Sequence, residues 1–128
     1  MKNNPQNPSS PACASKPTTG ERAEQYAAHY LHRKGFTIER KNMREKRAEV
    51  DLVARKGDLL IFVEVKFRSN LRFGPPESFV TSKQQERYHE AATAYMMAID
   101  WEQAIRFDII SLEKRCNKLH LTHFEDAF

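Results

Sequence analysis

The sequence predicts a mixed α/β fold in which helices flank a central sheet. Two segments carry apolar residues at helical spacing. Between them lies one uninterrupted apolar run, Leu59-Leu60-Ile61-Phe62-Val63, which is typical of a strand buried on both faces. A turn signal, Lys56-Gly57-Asp58, comes directly before that run. Helices and strands follow one another in the order α-β-β-β-α-β-β, which favours helices packed on the faces of a mixed sheet.

The elements are assigned in order along the chain. Residues 1–19 are rich in Pro, Asn, Ser and Thr and predict a disordered N-terminal tail, so the folded domain covers residues 20–128. Helical spacing predicts a first helix over residues 20–34, ended by Gly35, and a second over 81–99, begun by the capping box Ser82-x-x-Gln85. The predicted strands cover residues 36–44, 49–55, 59–67, 105–112 and 119–124.

Length and composition exclude several classes of protein. A chain of 128 residues with 40% hydrophobic residues forms one domain with its own core. Its longest apolar run is far shorter than the roughly 20 residues of a transmembrane helix. No apolar segment follows Met1-Lys2, so no secretory signal peptide is predicted. Cys13 and Cys116 belong to no C-x-x-C pair, which predicts free thiols and a cytoplasmic location.

Positive charge is concentrated in the middle of the chain. The net charge is +4, and the segment from Arg33 to Arg72 holds 12 basic and 6 acidic residues. Such a stretch favours a polyanionic partner, most simply nucleic acid, and the alternative is a solvated basic surface. The predicted phosphate contacts within the stretch are Arg44, Arg47, Arg68 and Arg72.

Two charged residues continue a buried face of the third strand. Alternation along the strand places Glu64 and Lys66 on the same face as Leu60 and Phe62. An unpaired buried charge is costly, so a metal ion or a facing cation is expected to compensate it. The pattern Asp…Glu-x-Lys is weak by itself, and a surface ion pair between Glu64 and Lys66 is the alternative.

The turn sets the register of the hairpin that precedes these residues. A two-residue turn at Gly57-Asp58 pairs residues whose numbers sum to 115. Asp51 then lies opposite Glu64, with Cβ atoms roughly 4.5–5.5 Å apart, and Glu49 lies opposite Lys66. A turn one residue earlier would make the two acids diagonal neighbours and keep them on one face.

Two facing carboxylates repel each other unless they share a cation. Oxygen ligands suit Mg²⁺ or Mn²⁺, so Asp51 and Glu64 are the candidate metal ligands, with the backbone carbonyl of Val65 as a further one. A metal held there can neutralise a phosphodiester and activate water. Lys66 is a point cation that can orient or help deprotonate the attacking water and contact the phosphate.

The same residues form part of a larger set of motifs. The set is Gly20-Glu21-x-Ala23-Glu24-x-x-Ala27, Leu31-x-x-x-Gly35, Asn42-x-Arg44, Ala48-Glu49-Val50-Asp51-Leu52-Val53, Phe62-Val63-Glu64-Val65-Lys66-x-Arg68 and Arg106-Phe107-Asp108. Through these motifs the chain resembles the YraN-type family of small bacterial proteins, in the restriction-endonuclease-like superfamily. Ala48 stands where that family usually has glycine.

The resemblance implies a restriction-endonuclease-like αβββαβ core and a nuclease site at Asp51, Glu64 and Lys66. Related nucleases often add an acid from the first helix, and Glu24 occupies that position here. Spacing alone would make Glu24 an ordinary exposed helix acid. Lys83, at the start of the second helix, is an implied phosphate contact and would otherwise be a surface lysine. The implied cofactor is Mg²⁺ or Mn²⁺, and the implied partner is DNA.

Three functions stay open at this stage. The first is a Mg²⁺-dependent endonuclease that hydrolyses phosphodiester bonds of DNA, including branched or single-stranded DNA. The second is a nucleic-acid-binding module of nuclease fold without independent cleavage, which steep salt dependence without metal-dependent products would favour. The third is a protein-interaction scaffold. Cleavage of both strands of a duplex or junction would favour a homodimer, and no membrane partner is expected.

Overall fold

The fold is that of a computed structural model, which describes residues 20–45, 47–68 and 80–128. The predicted tail over residues 1–19 and the predicted phosphate contact Arg72 lie outside the described residues. The elements are α1 (Gly20–Arg33), β1 (Thr37–Glu45), β2 (Ala48–Lys56), β3 (Leu59–Arg68), α2 (Ser82–Ala98), β4 (Ala104–Arg115) and β5 (Lys118–Phe124). This order confirms the predicted α/β class and its αβββαβ core.

The strands form a five-stranded mixed sheet in the order β1-β2-β3-β4-β5. The pairs β1–β2, β2–β3 and β4–β5 are antiparallel, whereas β3 and β4 are parallel and are connected through α2. Lys56 pairs with Leu59, so Gly57 and Asp58 form the two-residue turn, and Gly57 has a φ of +60°. The predicted hairpin register is therefore confirmed from the turn as far as Leu52.

The two helices cover opposite faces of the sheet. Leu60 and Phe62 pack in a core with residues of α2, whereas Ile61 and Val63 pack in a second core with residues of α1. Because β3 is buried on both faces, its first half is apolar at every position. Glu64 follows Phe62 by two residues and therefore lies on the α2 face.

Alternation along β2 reverses at Asp51. Val50 packs in the α2 core, but Leu52 packs in the α1 core and Val53 again in the α2 core. Strict alternation would have placed Val50 and Leu52 on one face. In the β1–β2 register Asn42 lies across from Asp51, and its φ is +51°. The irregularity therefore affects both strands at the point where the predicted site begins.

The predicted pairing of Glu49 with Lys66 is wrong. The β2–β3 register runs between Leu52 and Lys56, short of that pair. Glu49 instead pairs with Arg44 of β1, and Arg44 Nη2 lies 3.7 Å from Glu49 Oε1. The reversal at Asp51 explains the difference, because pairing arithmetic assumes that a strand stays regular.

The N-cap of helix α2 lies one residue before the predicted one. The N-cap is Thr81, whose hydroxyl accepts from Gln84 N at 3.1 Å while Thr81 N donates to Gln84 Oε1 at 3.0 Å. This is a capping box, but not the predicted Ser82-x-x-Gln85. Gln85 donates instead to the carbonyl of Val80 at 3.2 Å. Both sequence patterns fit equally well, and the buried Val80 fixes which one begins the helix.

A buried ionic network ties β4 to β5 and α1. Asp108 is fully buried and accepts two hydrogen bonds of 2.8 Å from Arg106, and a third of 3.0 Å from the amide of Asp126. His123 Nε2 lies 2.8 Å from Asp108 Oδ2, and its Nδ1 lies 3.0 Å from the hydroxyl of Tyr30. The network therefore attaches the outer strand to the first helix.

Two further expectations concern the cysteines and membranes. Cys116, in the turn between β4 and β5, is disulfide-bonded, so the prediction of free thiols is wrong for this residue. Cys116 belongs to no C-x-x-C pair, so the sequence around it carried no signal of a disulfide. Within the described ranges, neither helix is long and apolar enough to cross a membrane.

Candidate active site

The carboxylate of Glu64 is held by two partners on the α2 face of the sheet. Tyr88 of α2 donates a hydrogen bond from its hydroxyl to Glu64 Oε1. Lys66 Nζ lies 3.2 Å from Glu64 Oε2, and the two side chains are only 23% and 16% exposed. In the structure, Lys66 and Tyr88 therefore compensate the buried negative charge of Glu64.

Asp51 lies where β2 loses its regular alternation, and its side chain bridges to β3. Asp51 Oδ2 accepts a hydrogen bond of 2.8 Å from the backbone amide of Val65. Burial, followed by the negative charge of Glu64, raises the pKa of Asp51 from 3.8 to about 8, although the Val65 amide opposes the shift. Asp51 and Glu64 therefore share one electrostatic environment, although the β2–β3 register ends at Leu52 and Val63 and does not include the predicted pairing of the two acids.

Glu24 of α1 reaches the same place from the other side of the sheet. Its carboxyl group is hydrogen-bonded to Asp51, and its charge contributes to the raised pKa of Asp51. Glu24 is half-buried, whereas spacing alone suggested an exposed helix acid. The structure thus brings Glu24, Asp51, Glu64 and Lys66 together, with Asp51 at the centre.

The carboxylate oxygens are engaged with partners inside the protein. Glu64 is bound by Tyr88 and Lys66, and Asp51 is bound by the amide of Val65. Across the described ranges, no three His, Cys, Asp or Glu side chains are grouped so that they could hold a metal ion. A metal at this position would therefore have to replace some of these internal contacts.

Tyr88 is the residue of this cluster that sequence reasoning missed. Its helical spacing with Ala91, Ala92 and Tyr95 predicts only a place on the apolar face of α2, and Tyr88 is buried there, with 5% exposure. Its pKa is raised by burial and by the negative charges of Glu64 and Asp51, so the hydroxyl stays protonated and can donate a hydrogen bond to Glu64. A buried tyrosine requires a hydrogen-bond partner, and Glu64 required a donor on the same face. These two requirements together are the signal in the sequence that could have identified Tyr88 as a partner of Glu64.

The predicted phosphate contacts are distributed around this cluster. Arg68 ends β3 and, by alternation, lies on the face of Glu64 and Lys66. Arg44 is exposed beside Glu49, and Arg47 is exposed with its Nη2 3.4 Å from Glu90 of α2. Lys83 is exposed in the first turn of α2. Arg68 and Lys83 belong to elements that carry the cluster, whereas Arg44 lies in β1 and Arg47 in the turn before β2, and both of these pair with an acid.

Comparison with known proteins gives a consistent family. The sequence profile of the uncharacterised protein family UPF0102 matches residues 23–112. A UPF0102 protein from Flavobacterium psychrophilum is 37% identical over 109 residues, which cover 85% of this chain and 92% of that protein. One from Cytophaga hutchinsonii is also 37% identical, over 80% of this chain and 90% of its own length.

A further relative is less similar in sequence. A UPF0102 protein from Carboxydothermus hydrogenoformans is 32% identical over 84% of this chain and 92% of its own length. The profile match spans the segment from α1 to β4, which carries Glu24, Asp51, Glu64, Lys66 and Tyr88. The resemblance to the YraN-type proteins is thereby confirmed, and the chain belongs to the UPF0102 family.

Proposed function

We propose that the protein is a cytoplasmic, metal-dependent nuclease that hydrolyses phosphodiester bonds of DNA. The observation that carries the proposal is the meeting of three carboxyl groups and one ammonium group just beyond the end of the β2–β3 ladder. Glu24, Asp51 and Glu64 come from three different elements, and Lys66 lies 3.2 Å from Glu64. Only the fold brings these groups together, which favours a shared chemical task over a chance surface cluster.

The charge balance of the cluster fits a divalent cation. Burial and two neighbouring acids raise the pKa of Asp51 to about 8, and Lys66 is the cation paired with the group. A second positive charge would relieve this repulsion. Carboxylate oxygens are the ligands that Mg²⁺ and Mn²⁺ prefer. Asp51 and Glu64 would hold the ion together with the carbonyl of Val65, whose amide already faces Asp51.

The protein's own groups have separate tasks in this proposal. The bound cation would neutralise charge on the phosphate and lower the pKa of water. Lys66, whose ammonium lies 3.2 Å from Glu64, orients the attacking water and contacts the phosphate. Tyr88 fixes the direction of the Glu64 carboxylate, and Val65 fixes that of Asp51. Glu24 adds a third carboxylate from α1.

The surrounding cations support a nucleic-acid substrate. Arg68 follows Lys66 on the same face of β3, and Lys83 is exposed at the start of α2. Arg44 and Arg47 lie near the turn that leads into β2. Such groups bind phosphates irrespective of base sequence, so they support affinity for DNA and carry no sequence specificity.

One observation favours a second function. The oxygens of Asp51 and Glu64 are engaged by Val65, Lys66 and Tyr88, and the described residues include no ready group of three metal-binding side chains. A protein that binds nucleic acid without cleaving it would need no more than this. The nuclease is the preferred proposal because the internal pairing of Asp51 and Glu64 does not explain why a further acid, Glu24, lies against Asp51.

A cleavage assay distinguishes the two functions. Linear duplex, single-stranded and four-way-junction DNA are incubated with Mg²⁺, Mn²⁺ or EDTA. The variants are Glu64→Gln and, as a matched control on the exposed surface of α2, Glu86→Gln. We expect metal-dependent products from the wild type and Glu86→Gln but not from Glu64→Gln. Salt-sensitive DNA binding without products from any substrate would support the binding module instead.

A further inference from the structure

Residues 125–128, called the strap below, follow β5 and lie against the start of β4. The strap donates two backbone hydrogen bonds there. The amide of Asp126 donates to Asp108 Oδ1 at 3.0 Å, and the amide of Ala127 donates to the carbonyl of Phe107 at 2.7 Å. Both acceptors belong to a sequence motif that the proposed chemistry does not use. The start of β4 therefore fixes the path of the strap.

The strap places an aromatic ring on the α2 face of the sheet. Phe128 packs against the α2 core, and its ring lies over that of Phe107 with the centroids 5.4 Å apart. The same ring meets Tyr88 edge-to-face, with the centroids 5.5 Å apart and the planes at 78°. Edge-to-face aromatic pairs are favourable beyond the area that they bury. Phe128 therefore links the start of β4 to the tyrosine that binds Glu64.

The ring of Tyr88 has to be held in place for its hydroxyl to reach Glu64. Tyr88 is buried, and its hydroxyl donates a hydrogen bond to Glu64 Oε1. Because the hydroxyl lies at the far end of the ring, a small change in χ1 of Tyr88 moves it further than the rest of the side chain. A hydrogen bond weakens steeply once its geometry is distorted. The packing of Phe128 against this ring therefore bears on the hydrogen bond to Glu64.

We propose that Phe128 is a positioning residue, which the strap holds against Tyr88 so that the hydroxyl of Tyr88 meets Glu64. The start of β4 then serves the candidate site indirectly, because it anchors the strap. The effect on cleavage rests on the proposed function. The effect of Phe128 on the hydrogen bond of Tyr88 does not, and it is measured without cleavage.

A double-mutant cycle on stability tests the coupling between the two rings. Urea unfolding in EDTA is measured for the wild type, Phe128→Ala, Tyr88→Phe and the double variant. The matched control cycle uses Tyr95→Phe, because Tyr95 lies on the same helix and its hydroxyl also donates to a glutamate, Glu39. Phe128→Leu, which keeps most of the apolar volume but no aromatic edge, replaces Phe128→Ala if that variant does not fold.

We expect Tyr88→Phe to lower the urea midpoint of the wild type and to lower that of Phe128→Ala by about half as much or less, because the hydrogen bond is already weakened there. The loss caused by Tyr95→Phe should be the same in both backgrounds. Equal losses from Tyr88→Phe in both backgrounds would overturn the inference. The same coupling in the Tyr95 cycle would also overturn it, since the effect would then be a general loosening of α2.

Cleavage separates this inference from the proposed function. In a protein that cleaves DNA, Phe128→Ala should lower kcat by about tenfold and leave KM nearly unchanged, because a misplaced group slows the chemical step. An unchanged kcat would overturn the inference. Coupling between Phe128 and Tyr88 without cleavage by any of the proteins would support the positioning of Tyr88 and contradict only the nuclease.

Discussion

The backbone amide of Val65 donates a 2.8 Å hydrogen bond to Asp51 Oδ2, beyond the end of the regular β2–β3 ladder. A side chain thus replaces the backbone contact that a regular ladder would have made there. The bond holds Asp51 at the edge of the gap between the strands, within reach of both Glu24 and Glu64. Irregular pairing near the end of a hairpin is therefore what assembles the candidate site.

The hydroxyl of Tyr88 is expected to matter for activity more than for folding. Tyr88→Phe removes the donor to Glu64 and should cost about 1.5–3 kcal/mol of unfolding free energy, as for a hydrogen bond to a charged group. Cleavage should fall further than this loss explains, because Glu64 is no longer oriented. Urea unfolding and cleavage rates are measured together. Tyr30→Phe, whose hydroxyl contacts His123, should keep its activity. Equal activity in both variants would exclude the positioning role of Tyr88.

The charge of Asp51 is expected to destabilise the metal-free protein. Its pKa is raised to about 8 in the folded state, so the folded protein holds a proton that the unfolded chain releases above 3.8. Stability should therefore fall between pH 4 and pH 8 through this group. Asp51→Asn removes that dependence and should be at least as stable as the wild type at pH 8. Urea unfolding in EDTA at several pH values measures the stability of the wild type and of Asp51→Asn. A wild type that gains stability relative to the variant over this range would contradict the assignment.

The buried network around Asp108 should stabilise the fold with the opposite dependence on pH. Burial raises the pKa of Asp108, but hydrogen bonds from His123 and Arg106 outweigh burial and leave it below 3.8. Its contribution should be fully present above that value and be lost as the pH falls below it. Asp108→Asn should cost about 3 kcal/mol at pH 7, because Arg106 loses its partner while remaining partly exposed.

Urea unfolding of this variant and the wild type at pH 7 and pH 3 measures that effect. The difference between the two proteins should be smaller at pH 3. The same difference at both pH values would show that ionisation of Asp108 does not stabilise the fold.

The start of α2 gives a smaller and separate test. Thr81→Ala removes the side-chain cap and should cost about 1 kcal/mol of unfolding free energy. Ser82→Ala, at the next position, should change stability little because Ser82 is not the cap. Denaturant midpoints of the two variants suffice for the comparison. A larger loss of unfolding free energy in Ser82→Ala than in Thr81→Ala would indicate that Ser82 is the N-cap, as the sequence predicted.

Local patterns predicted the fold because most of its elements obey local rules. The two-residue turn at Gly57-Asp58 fixed the hairpin register, and the apolar run before Glu64 identified a strand buried on both faces. The reversal at Asp51 was not predictable, because alternation assumes a regular strand. The helical spacing of Tyr88 predicts only a core position, since its contact with Glu64 depends on how α2 packs on the sheet.

A cleavage assay of the Asp51→Asn variant tests most directly the claim that this cluster is a nuclease site. The substitution should abolish hydrolysis without weakening the fold. The substrate that the wild type cleaves with Mg²⁺ is incubated with wild type and variant at the same concentration, after urea unfolding shows both to be folded. The account predicts products from the wild type and none from Asp51→Asn. A folded variant that cleaves at the wild-type rate would contradict a nuclease site at this cluster.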